Sequence, residues 1–258
     1  MTRLFSLLLF LTLIIGAYLS LAPRGGSSTA PVQGFPWQIE LLPDGYTKVF
    51  GIRPGADTLE QARAQLGPDP QLAIISTGAE DYSLEMYYDR YTAGVLSGKL
   101  VLTGQLPADQ LMQMAARSTR TTHLKTGARK LRLHADDLPR AWQAPVQAIA
   151  FIPTARLNQP TAIQHFGTPA ETIVDGQKTH LLYPDKGLDL MLDENGKSVL
   201  QYVAPREFYR LRDPLQGQAE SAGVKTTALP SGYAANAANP TYPLPVNYPA
   251  TNNRRRSG

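Results

Sequence analysis

The sequence predicts an α+β protein: two tandem helix-plus-antiparallel-sheet modules, residues 35–145 and 146–215, behind an N-terminal transmembrane helix. Three observations carry that expectation. A strand, turn, short helix, Gly and Pro pattern occurs twice, one hundred residues apart, at Ile52 to Pro68 and at Ile152 to Pro169. Each copy is followed by short β-rich runs separated by turn residues, the pattern of a helix packed on one face of a sheet. An uncharged run of eighteen residues, Leu4 to Leu21, precedes both.

That run, at about 1.5 Å per residue, is long enough to cross most of a roughly 30 Å hydrocarbon layer. It exceeds the apolar region of an ordinary signal peptide, about 7 to 15 residues. Ser20, Leu21 and Ala22 offer small residues for cleavage, but Pro23 follows directly. An uncleaved signal anchor over residues 1–21 is the first reading and a cleaved signal peptide the second. Arg3 close to the N-terminus, set against Arg24, favours an internal N-terminus. The expected location is then a bacterial inner membrane, crossed once, with the body in the periplasm. Ala22 to Gly34 is rich in Gly, Ser and Pro and reads as a flexible tether.

Trp37, Ile39 and Leu41 alternate with polar residues, Pro43-Asp44-Gly45 supplies a turn, and Tyr46 to Phe50 returns, so a hairpin is expected. In the first helix Asp57 suits the N-cap with Glu60 three residues on, and Leu59, Ala62 and Leu66 share a face. In the second, Asn158 suits the cap and Pro160 the first turn. Gly67 and Gly167 follow the last apolar residue of each helix as left-handed C-caps, with Pro68 and Pro169 forbidding continuation. After the first helix, strands are expected at Gln71 to Ser76, Tyr82 to Tyr88, Tyr91 to Leu96 and Lys99 to Thr103, the last two around a turn at Ser97-Gly98. A helix at Ala108 to Ser118 places Leu111, Met112 and Ala115 inward, with Met114 a further candidate for that face, and strands at Ala128 to His134 and Pro145 to Ile152 flank a polar loop, Ala135 to Arg140. After the second helix, strands are expected at Glu171 to Val174, His180 to Tyr183, Leu188 to Leu192 and Lys197 to Val203. From Gln216 to Gly258 no apolar period is sustained, and a disordered tail is expected.

Ile52, Gly55, Thr58, Ala62 and Leu66-Gly67-Pro68, followed by tyrosine-bearing strands, resemble the helix-then-strands repeat of the SmpA/BamE small envelope lipoproteins and the β-lactamase-inhibitor-like fold. The resemblance implies a small α+β platform that contacts other envelope proteins. In the second copy Ala155 stands near the usual glycine, and no cysteine is present to carry a lipid.

The absence of cysteine excludes disulfides, thiolate metal sites and a cysteine nucleophile. Of the 25 Lys and Arg, five lie at the two ends (Arg3, Arg24, Arg254, Arg255 and Arg256), leaving 20 against 21 acids. A body this near neutrality speaks against nucleic acid as a partner. No two of His123, His134, His165 and His180 have helical metal-site spacing, and no cofactor motif occurs. Asp185, Asp189, Asp193 and Glu194 lack the spacing of a calcium loop and read as a solvated hairpin rim.

One local charge excess stands out. Between Arg117 and Arg140 seven basic residues face two acids, Asp136 and Asp137. Alternation along Ala128 to His134 puts Lys130, Arg132 and His134 on one face and Leu131 and Leu133 on the other. This is either an edge strand guarded by charge or a binding row for an anionic partner. Together these features suggest a noncatalytic, membrane-anchored envelope scaffold or protein-interaction protein. The alternatives are a binding module for an anionic lipid or glycan, and an envelope hydrolase whose site the sequence does not reveal.

Overall fold

The computed structural model describes residues 34–78, 81–222 and 227–228, with side chains through Gln216. Its centre is an eleven-stranded sheet, antiparallel at every pairing. A small hairpin, β1 (Glu40–Leu41) with β2 (Thr47–Lys48), stands apart. The sheet strands are β3 (Gln71–Ser76), β4 (Tyr82–Ala93), β5 (Leu96–Gly104), β6 (Arg120–His123), β7 (Arg129–Arg132), β8 (Val146–Pro153), β9 (Glu171–Asp175), β10 (Lys178–Tyr183), β11 (Leu188–Asp193), β12 (Ser198–Val203) and β13 (Thr227–Ala228). Their order is β13-β9-β10-β11-β12-β8-β5-β4-β3-β7-β6. Five helices join them among the described residues: α1 (Leu59–Leu66), α2 (Ala108–Ala116), α3 (Leu138–Trp142), α4 (Gln159–Phe166) and α5 (Tyr209–Ala222).

Alternation along each strand divides the apolar residues between two faces. Leu84, Met86, Leu100, Leu102, Ile149, Phe151, Leu181 and Tyr202 form the larger core, closed by Leu59 and Ala62 of α1, Leu111 and Met114 of α2, and Ala162 and Phe166 of α4. Their neighbours Ala148, Leu182 and Val203 point the other way and meet Phe208, just before α5, and Leu211 of α5 in a smaller cluster. Strand β8 pairs with both β5 and β12, so the sheet continues from the strands before residue 145 to those after it without a break. At this seam a Cβ on Gly98 would lie 2.4 Å from the Ile152 carbonyl oxygen and 2.8 Å from the Phe151 ring. Gly98 is therefore a site of close approach inside β5; the turn falls at Gly94-Val95 instead.

The helices begin and end alike. Thr58 and Asn158, both extended, accept from the backbone N–H of Gln61 (3.2 Å) and Thr161 (2.9 Å). Gln61 returns a bond to the Thr58 N–H, completing a capping box one residue later than the sequence suggests. Asp57 is instead held by Arg53, whose Nη2 lies 2.9 Å away. Gly67 (φ 103°, ψ 174°) and Gly167 (φ 85°, ψ −176°) do end the helices with positive φ. Their ψ values place them in an extended region open essentially to glycine alone rather than in the left-handed helical region.

Other expectations are corrected. Tyr82 to Ala93 is one bulged strand, since the pairing with β5 shifts register between Tyr88 and Tyr91 without breaking. On α2, Met112 is exposed rather than inward, while Met114, the further candidate for that face, is buried. The segment after His134 forms a 3-10 turn and α3 rather than a polar loop. The first hairpin is only two residues long on each side, because Trp37 leaves it to stack on Phe35 (4.7 Å) and His165 (3.9 Å). Helix α5 continues to Ala222 and β13 pairs with β9, so Gln216 lies inside a helix. The remainder of the expected tail, the Leu4 to Leu21 run and the tether up to Gln33 lie outside the described residues. Among the described residues no helix is long and apolar enough to cross a membrane.

Candidate functional site

The sequence-predicted row sits on a two-stranded ribbon at one end of the sheet. Strand β6 pairs with β7, and β7 pairs with β3 over Ile74 to Ser76. Among the described residues the edge is therefore β6, one strand further out than the row itself. All four β6 residues are exposed, while β7 buries Leu131 and exposes Arg132. Register places Arg132 directly opposite Arg120 and Lys130 opposite Thr122. Like charges facing each other across a strand pair are destabilising. Neither arginine forms an ion pair among the described residues.

His134 does not join them. Its Nδ1 accepts from the Asp136 N–H at 3.3 Å, capping the 3-10 turn that begins at Ala135. Arg117 is drawn to the buried carboxylate of Asp137, and Arg140 donates to Gln110 at 2.7 Å. Of the seven basic residues, the ribbon face thus gathers Arg120, Lys130 and Arg132, with His134 tied to its own turn.

Lys130 also borders an aromatic patch. Its Nζ donates to Gln71 and lies 5.7 Å from the Tyr87 ring centre, with Lys99 at 5.9 Å from the same ring. Tyr87 turns outward because Tyr88 turns in, where its hydroxyl donates to the Gly67 carbonyl at 3.0 Å. Burial, then the hydrogen bond to Asp89, pushes the Tyr87 hydroxyl pKa up. That same bond, with Lys99 3.5 Å away, holds Asp89 below the usual carboxylate value.

The structure brings together a pair that sequence reasoning separated. His180 on β10 and Asp189 on β11 are 7 % and 2 % exposed, and Nδ1 lies 2.9 Å from one carboxylate oxygen. Asp189 had been grouped with the solvated acids. The signal was the tight hairpin: once Tyr183 pairs with Leu188, Asp189 falls diagonally across from His180 on one face. Such a pair could activate a nucleophile, but no hydrogen bond among the described residues joins His180 to a Ser or Thr hydroxyl. Ile173 and Met191 are the cross-strand neighbours of His180, and the pair pins β10 to β11 on a face that also carries the buried Glu171, bonded to Arg212.

An open depression of about 660 Å³ lies beyond the end of α1, lined by Glu60, Arg63, Pro68, Pro70 and Trp142 among others. The Arg63 guanidinium covers the Trp142 ring at 4.2 Å, and no His lines the depression. Among the described residues no group of three His, Asp or Glu side chains could hold a metal ion. No family model, curated protein or solved structure matches this chain.

Proposed function

We propose that this chain is a noncatalytic envelope protein, anchored by Leu4 to Leu21 in a bacterial inner membrane, whose body is a periplasmic platform for another envelope protein. The observation that carries the reading is the β6–β7 ribbon: a sheet edge that is open among the described residues, with Arg120 and Arg132 face to face and no described carboxylate paired to either. An acidic partner surface would relieve that repulsion, and charge complementarity steers and orients such contacts. The body is the product of a duplication. Caps at Thr58 and Asn158, buried Ala62 and Ala162, and the Tyr88 and Tyr183 hydroxyls, each donating at 3.0 Å to Gly67 and Gly167, support two modules of one plan joined through β5 and β8. This plan is also what the resemblance to the SmpA/BamE repeat implies.

The second reading, a module for an anionic lipid or glycan, is favoured by Tyr87 with Lys99 and Lys130 over its ring, since a half-exposed aromatic beside cations suits an acidic sugar. Alkaline extraction of membranes, followed by crosslinking of the native protein, tests the first reading. The protein should stay with the membrane and be captured with a protein neighbour by wild type but not by K130E/R132E. Release of a chain lacking the residues before Pro23 would replace the anchor with a secreted protein, and equal capture by both forms would remove the charged platform.

A further inference from the structure

The two ends of the sheet are finished differently. At one end the chain supplies its own last strand: Thr227 and Ala228 pair with Thr172 and Glu171 of β9. At the other, β6 pairs with β7 alone among the described residues. The bond from the Leu124 N–H to the Ala128 carbonyl, 2.8 Å, closes the ribbon and fixes its phase. Antiparallel pairs alternate between bonded and non-bonded, so the N–H and C=O groups of Thr121 and His123 turn away from β7. These groups offer a strand-shaped row of donors and acceptors, and the side chains of Arg120, Lys130 and Arg132 stand along one face of it.

We propose that the free edge of β6 takes an extended, acidic segment of another protein as an additional strand, with alternate carboxylates over Arg120, Lys130 and Arg132. This rests on the platform reading above and names its partner chemistry and its mode of contact. Main-chain bonds would supply affinity and the cationic face register, the division of labour in strand addition. The charge pattern selects this occupant over the others. A second copy would set one cationic β6 against another. The chain's own ends outside the described residues, 1–33 and 229–258, contain no Asp or Glu.

The test uses the full chain in detergent and a fluorescent peptide of alternating Glu and Val. Binding should protect the Thr121 and His123 amides from exchange and weaken with salt. It should be lost when alternate peptide amides are N-methylated, which leaves every charge in place. K130E/R132E should weaken binding at least about tenfold, as loss of charge-assisted contacts does. Thr121→Pro removes one outward N–H without touching the bonds to β7 and should abolish binding. Equal binding of the N-methylated peptide overturns the proposal whether or not the proline variant folds. So does self-association that Thr121→Pro abolishes, or binding to phosphatidylglycerol vesicles that only the charge reversals disturb. If the peptide fails to bind while a partner is still crosslinked in membranes through Lys130 and Arg132, strand addition falls and the platform stands; loss of both removes both.

Discussion

Gly67 and Gly167 are held in backbone conformations that side chains resist, yet their surroundings differ little from open space: a Cβ on Gly67 meets nothing within 4 Å, and one on Gly167 only Lys186 Nζ at 3.7 Å. Alanine at either should therefore destabilise through backbone strain alone, by about 1–3 kcal/mol, read as a lower denaturation midpoint. An unchanged midpoint in both variants would remove the cap argument. The tyrosines that bond to these glycines give a pH prediction. Burial pushes the hydroxyls of Tyr88 and Tyr183 up to about 12. The folded state then keeps protons that the unfolded state has lost above pH 10 or so, and stability should fall as pH rises from about 10 to about 12. Replacing both by Phe should flatten that decline in alkaline melting curves. The glycines could be read from the sequence because a positive φ leaves a compositional mark. The cap could not, since Asp57 and Thr58 are both good N-caps; Arg53, four residues earlier, claims Asp57 and leaves the role to Thr58.

At the scale of elements, alternation identified most strands and failed where glycine or aromatic packing intervened. Ser97-Gly98 has turn chemistry, but Gly98 lacks a side chain so that β8 and the Phe151 ring can close on β5. Gly98→Ala should therefore weaken the β5–β8 seam and lower the melting temperature, by about 1–3 kcal/mol of stability. Faster exchange of the Val101 and Ala150 amides, paired across that seam, would locate the damage there; a variant with wild-type melting and exchange would return Gly98 to an incidental role. The cationic row was legible as a strand with two faces. That β6 lay outside it was not, because Arg120 to His123 is too short and polar to show a period. His134 left the row for the same kind of reason: its side chain finds a nearer use as a cap. The His180–Asp189 pair depends on hairpin register, which no local pattern in either strand encodes.

At the scale of the whole molecule, the composition change near Gln216 predicts the end of order, and the structure carries order past it. Helix α5 runs on through Gln216 to Ala222 and β13 pairs with β9, so the residues after Gln216 complete that helix and close one edge of the sheet. Truncation before Gln216 should accordingly lower the melting temperature, and an unchanged value would make that segment dispensable. The central claim is that the opposite edge is the working surface of a tethered platform. Photo-crosslinkers placed one at a time at His123 on β6 and at Val174, 43 % exposed on β9, in membranes of the native cell address it most directly. The account predicts a discrete heavier species from position 123 that fades with added salt and disappears in K130E/R132E, with none from position 174. The same species from both positions, indifferent to salt and to the reversals, would contradict it.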